Sequence, residues 1–320
     1  MSQDESPDRP VRRRWTAGVA VALGLWGATV PGPAGAQDLS CAPAIATTAI
    51  AASIPALDWS ENIGFDAQGG LWISRTLRNE VQGYDRAGNL TTTVAVPAPG
   101  AIRLGRDNLL YVNSVDVPNL LPPGRGGAVL RFDPAVAAPT PEIFVSGLGV
   151  PNGAAFDSAG YLYVGDLLMG VVRVRPDGTV DSAWTARSPK NFDILGGVNG
   201  YGINGVAVVG DSVFAAVTVS ATGRILRVPI DASHPPVAID LAPGMLSGPM
   251  LPDDLVAGSD GMLYVVTATG QLVRVDPGTG SSCTVLSTMP MTAVAFTPES
   301  DQDLLATTEH GSVLRVRLTN

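Results

Sequence analysis

Four residues with hard oxygen donors, Glu61, Asn152, Asn204 and Asp253, stand in one register ahead of a repeated strand. Glu61, Asn152 and Asp253 lie ten residues before the Leu of LWIS at Leu71, LYVG at Leu162 and LYVV at Leu263. Asn204 holds the equivalent place in GINGVAV, where the turn is one residue shorter. The same alignment gives Gly100 and Thr292 in the two remaining copies. Two carboxylates and two amides suit a hard divalent cation, calcium foremost, with waters filling further positions. The two charges offset the ion, and the neutral amides limit repulsion. Asn-Gly and Asp at a loop-to-strand junction are also ordinary turn residues. Glu61 is a poor turn residue, and the shared register favours the site. A cation held there polarises a carbonyl or phosphoryl oxygen and lowers the pKa of bound water. Asp253 is then the candidate general base or nucleophile, and Glu61 mainly a ligand. No other catalytic set competes. The two histidines, His234 and His310, lack paired spacing, and HExxH, G-x-S-x-G, phosphate-binding glycine loops and zinc cysteine clusters are absent.

Convergence of these residues requires a ring. The strand after LYV also recurs, as VQGYD at Val81, VLRFD at Val129, VVRVR at Val171, ILRVP at Ile225, LVRVD at Leu272 and VLRVR at Val313. The period, roughly 40–55 residues, is that of propeller blades. Six copies predict an all-β, six-bladed β-propeller of four-stranded antiparallel blades. In such a fold the first strand of each blade lines the channel, so equivalent positions meet near the axis. Outer strands are expected at stretches such as Asn89 to Val96 and Thr179 to Trp184. The last copy ends at Asn320 without one. An exposed edge there is avoided if Cys41 to Pro55 supplies the missing strand. The division expected is a signal peptide over 1–36, a closing segment over 37–60 and the propeller over 61–320. The insertions Val115 to Gly127, Ala186 to Gly202 and Ala242 to Leu251 are either covers for the site or plain connectors. The single lysine, Lys190, lies in the second of them.

Composition fits this reading. Hydrophobic residues make up 45% and charged ones 15%, ample for a core. The first 36 residues carry Arg12-Arg13-Arg14, an apolar run from Ala17 to Val30 and Ala34-Gly35-Ala36, the pattern of an export signal. The run is too short for a bilayer span, so no stable membrane anchor is expected. Arg13-Arg14 leaves both general and twin-arginine export open. The formal charge is −9, and removing the leader's single net positive charge leaves −10. That argues against nucleic acid and anionic membranes as partners. A secreted or periplasmic monomer acting on a small molecule is expected. Cys41 and Cys283 are the only cysteines. In an oxidising compartment they are expected to bond and staple the closing segment to the fifth copy; two unpaired buried thiols are the alternative.

The six copies, with Glu, Asn, Asn and Asp heading the first, third, fourth and fifth, resemble the SMP-30/gluconolactonase/luciferin-regenerating-enzyme (LRE)-like family over about Ser60 to Asn320. Pro151-Asn152-Gly153, Ile203-Asn204-Gly205 and Pro252-Asp253-Asp254 carry the local likeness. The resemblance implies a calcium-type cation on Glu61, Asn152, Asn204 and Asp253, with hydrolysis of lactones or related esters and Asp253 as base. It departs from the family at Asp254, where glycine is usual, and at Val150, where sugar-lactone members often carry Arg. Squid-type diisopropyl fluorophosphatase shares the fold and ligand types, so phosphotriester hydrolysis is a chemical variant. The alternative from another class is a non-catalytic, NHL-like binding propeller with a structural cation.

Overall fold

In the computed structural model, residues 41–114, 126–193, 198–231, 233–242 and 248–319 are described. The expected leader, most of the insertion at 115–127, half of the one at 242–251 and part of the one at 186–202 lie outside them. The strands form six antiparallel sheets in chain order. The first blade, Ser60–Phe65, Leu71–Arg75, Glu80–Tyr84 and Leu90–Ala95, sets the pattern. The innermost strand of each blade packs on the innermost strand of the next. The sixth, Met291–Thr297, returns to the first and closes the ring. The described chain is therefore a six-bladed β-propeller.

Apolar side chains form six buried clusters, one at each interface between neighbouring blades. Tyr111, Val129 and Val145 of the second blade meet Ala154, Leu162 and Val172 of the third, for example. This is why the strands read as near-continuous apolar runs: both faces of each sheet are covered. Turns repeat as well. Asp66 accepts a hydrogen bond from the indole N–H of Trp72, and Asp107, Asp157 and Asp260 accept from the hydroxyls of Tyr111, Tyr163 and Tyr264, each on the following strand, at 2.8–3.1 Å. The same aspartates accept backbone N–H groups across their own turns.

The ring closes as expected. Ile45–Ile50 adds antiparallel to Val313–Arg317 as the outer strand of the sixth blade. Cys41, just ahead of it, is bonded to Cys283 in the outer strand of the fifth, Cα atoms 6.1 Å apart. The third blade departs from expectation. It has three strands, Pro151–Phe156, Leu162–Asp166 and Gly170–Val174, and the helix Ser182–Arg187 follows them. Asp181 caps this helix, accepting from the Trp184 N–H. The Asp181 carboxylate also pairs with Arg173 and Arg175. Trp184 then inserts between the third and fourth blades, edge-on to Tyr163. Lys190 donates to the Thr185 carbonyl in the last turn and to Ser188 Oγ, so the sole lysine ends a helix.

Candidate metal centre

The site is built by a bulge repeated six times. In the first blade Ser60 pairs with Arg75, and the next pair is Ile63 with Ile73, so the innermost strand holds one extra residue. The same shift follows Pro99, Pro151, Ile203, Pro252 and Met291. The residue pairs inside the six bulges are Glu61-Asn62, Gly100-Ala101, Asn152-Gly153, Asn204-Gly205, Asp253-Asp254 and Thr292-Ala293. A bulge re-aims side chains and bends the strand. Close approach between bulges explains the glycines. A Cβ on Gly205 would lie 2.4 Å from the Asp254 Cα.

Glu61, Asn152, Asn204 and Asp253 are all at least nine-tenths buried, and hydrogen bonds link them in two pairs. Asn152 Nδ2 donates to Glu61 Oε1 at 2.9 Å. Asn204 Nδ2 donates to Asp253 Oδ1 at 2.5 Å and to Thr218 Oγ1 at 3.0 Å. Trp59 Nε1 donates to the other Glu61 oxygen. Both amides therefore turn their N–H groups to neighbours and keep their carbonyl oxygens for other use. The Asn204 Oδ1 is buried without a hydrogen-bond partner among the described residues. Such an orphan acceptor is costly, and a cation bound there would satisfy it. Of the other two bulges, Gly100 brings no side chain. Thr292 is turned to the Ser60 carbonyl and Thr307, stitching the sixth blade to the first.

The electrostatics run the same way. Burial drives the Asp253 carboxyl well above its ordinary range, and the charges of Glu61 and Asp254 add to the rise. Burial also raises Glu61. Hydrogen bonds from Trp59 and Asn152 oppose that rise, and the charges of Asp254 and Glu309 reinforce it. These are buried acids whose neighbouring negative charges push one another further up. Among the described residues no three of His, Cys, Asp and Glu gather as metal ligands. The donor set of two carboxylates and two amide oxygens fits a hard cation and excludes a soft one.

Four residues that the spacing did not reveal belong to the same neighbourhood. Trp59 holds Glu61. Asn62, Asp254 and Arg103 form a second tier: Asn62 Nδ2 donates to Asp254 Oδ2, and Arg103 donates to both. Asp254 carried a signal, as an acid in place of the resembled family's glycine. Asp166 ends the second strand of the third blade and is fully buried. It accepts the N–H groups of Gly149, Val150, Leu168 and Met169 and folds the loop beside Asn152. Val150 is buried there and Leu168 is exposed. His234 and His310 are both on the surface. Beyond the second tier, the far end of the channel opens into a cavity of about 440 Å³ lined by all six innermost strands, with Ile102, Phe156, Leu255 and Phe296 in its wall.

No protein-family profile and no curated protein matches this sequence. Its fold is found among solved structures. A gluconolactonase from Xanthomonas campestris is similar at TM-score 0.61 and 16% identity, over 88% of this chain and 98% of that one. A calcium-binding protein, regucalcin from Agrobacterium tumefaciens, is similar at TM-score 0.60 and 19% identity, over 85% and 94%. Virginiamycin B lyase from Staphylococcus aureus shares the fold at TM-score 0.58 and 10% identity, over 86% and 100%. At these identities the likeness is one of fold, and that fold serves more than one chemistry.

Proposed function

We propose that this protein is an exported, divalent-cation-dependent hydrolase of lactones or related esters. Glu61, Asn152, Asn204 and Asp253 are its ligands, and calcium is the preferred ion. The observation that carries the reading is the buried, unpartnered Asn204 Oδ1 beside two carboxylates pushed toward neutrality. A bound cation supplies a Lewis acid for the scissile carbonyl and offsets the two carboxylate charges. Asp253 removes the proton from the attacking water, oriented by the Asn204 amide on its Oδ1. Glu61, held by Trp59 and Asn152, stays a ligand throughout. The gluconolactonase and the calcium-binding protein among its fold relatives support this reading, and the cystine and the leader pattern support export.

The test is a panel of lactones, aryl esters and phosphotriesters, with and without chelator. Asp253→Asn keeps shape and an oxygen donor but loses basicity. It should abolish turnover of a responsive substrate and leave the fold intact. Glu61→Gln should mainly weaken calcium affinity, read by calorimetry. Calcium binding without turnover of any panel member would favour a binding propeller with a structural cation. A folded ring that binds no cation would make the four residues turn formers.

A further inference from the structure

We propose that Arg103 is a positioning residue that sets the separation of Glu61 and Asp253 across the channel, acting through Asn62 and Asp254. This rests on the cation reading of the mouth. Each carboxylate is the first residue of a bulge, and the grip is on the second. Among the six second residues, Ala101, Gly153, Gly205 and Ala293 bear no polar side chain. Only Asn62 and Asp254 do, and they belong to the two blades that carry the carboxylates.

These two side chains are joined directly and through the guanidinium. Asn62 Nδ2 donates to Asp254 Oδ2 at 3.3 Å. Arg103 Nη1 donates to Asn62 Oδ1 at 2.7 Å, and Nη2 donates to Asp254 Oδ2 at 3.2 Å. The same side chain is pinned from behind: Nη1 also donates to the Ile102 carbonyl, and Nε to the Ala154 carbonyl at 2.7 Å. One planar fork therefore ties the first, second, third and fifth blades together, one peptide below the ligands. Asn62 and Asp254 are each 1% exposed, so little water softens the grip. A buried carboxylate needs a charged partner, and Arg103 is that partner for Asp254. Of the three axial acids, Asp254 alone has an ion pair among the described residues, and Glu61 and Asp253 are left to the proposed cation.

A fixed carboxylate separation matters most for ion choice. Calcium accepts oxygens at about 2.3–2.6 Å, whereas magnesium requires about 2.0–2.1 Å. Arg103→Lys keeps the positive charge and removes the two-armed fork. Calorimetry with calcium and with magnesium, on wild type and variant, reads the effect, and thermal melting of the metal-free proteins controls for folding. The expected result is a calcium affinity lower by roughly 10–100-fold, the usual cost of disturbing a ligand's support. The calcium-to-magnesium preference should shrink, with metal-free melting near wild type. Unchanged affinity and preference in the variant, with a wild type that binds calcium, overturns this inference alone. Equal weakening of both ions together with a collapse in metal-free melting shows a merely structural role and overturns it as well. A wild type that binds neither ion overturns the cation reading and this inference with it. If Arg103→Lys does not fold, Asn62→Ala carries the test, with the same loss expected and wild-type binding overturning the inference.

Discussion

A Cβ on Gly165 would sit 1.7 Å from the Asn204 carbonyl oxygen. The second strand of the third blade is thus pressed against the bulge that presents Asn204, and only a glycine allows it. Neighbouring blades use the same contact differently. Ser74 Oγ donates to the Gly100 carbonyl, and Asn113 Nδ2 donates to the Asn152 carbonyl. The second strands of the first three blades therefore each support the bulge of the blade that follows. Gly165→Ala should displace Asn204, cost about 1–3 kcal/mol as an overpacked site and weaken calcium binding. Denaturant unfolding and calorimetry would check the two effects, and wild-type binding by a stable variant would show that Asn204 is not a ligand. Glu61, Asn152, Asn204 and Asp253 were legible because a propeller repeats one register, and counting along the strand finds it. The place of Asn62 and Asp254 beside them was not, although Asp254 stood out as an acid where glycine is usual, because successive residues of a regular strand face opposite sides. Only the extra residue in the bulge brings both members of a pair into the channel, and a bulge leaves no mark in spacing. Arg103 looked like any polar residue near a strand end.

Among the elements, the lead-in to the first blade is anchored by a single carboxylate. Asp58 accepts hydrogen bonds from the N–H groups of Ser53 and Ile54, from Ser53 Oγ and from Arg78. Its own carbonyl accepts from the buried Arg75, which also reaches the Gly311 carbonyl at the last turn of the sixth blade. This cluster holds the seam where the chain's two ends meet. Burial alone would raise the Asp58 carboxyl. The hydrogen bonds of Ile54, Ser53 and Arg78 outweigh it and hold the group down at about 2. A folded pKa below the unfolded value of 3.8 adds stability above pH 3.8, lost as the pH falls toward 2. Discounted for solvent screening, the contribution is about 1–2 kcal/mol. Asp58→Asn should therefore be destabilised by that amount at pH 7, with the gap to wild type closing between pH 4 and 2. A gap independent of pH in denaturant titrations would mean that shape, not charge, holds the seam. Element type was legible wherever Gly and Asp punctuate apolar runs. It failed after Val174 because Thr179 and Val180 suggest a strand, whereas the Asp181 cap and the room for Trp184 decide for a helix.

In the described chain the first blade bears Glu61 and also abuts the sixth, where the ends join. The Cys41–Cys283 bond closes a loop of 242 residues. In the chain-entropy model it contributes about 5 kcal/mol, often less in practice. Cys41→Ser with Cys283→Ser should lower the melting temperature while the folded ring still binds calcium, and thiol titration of the denatured, unreduced wild type should find no free thiol. The ring also concentrates acids at its axis, and this gives a second global signature. Glu61, Asp253 and Asp254 all have folded pKa values raised above their ordinary 4.5 and 3.8, first of all by burial. The native state then binds more protons than the unfolded chain once the pH exceeds about 4. Stability of the metal-free protein must fall as the pH rises from there through the folded values. Asp58 gives the opposite slope, but its effect is complete by pH 4, so the two windows separate. Calcium at the proposed site would bind the ionised Glu61 and Asp253 and compete with their protons. At 100 times its Kd it adds about 2.7 kcal/mol, and the increment should grow with pH. Melting curves from pH 4 to 8, with chelator and with calcium, should therefore diverge toward high pH. Parallel curves would mean that the axial acids ionise without strain and that no cation is needed to hold them together.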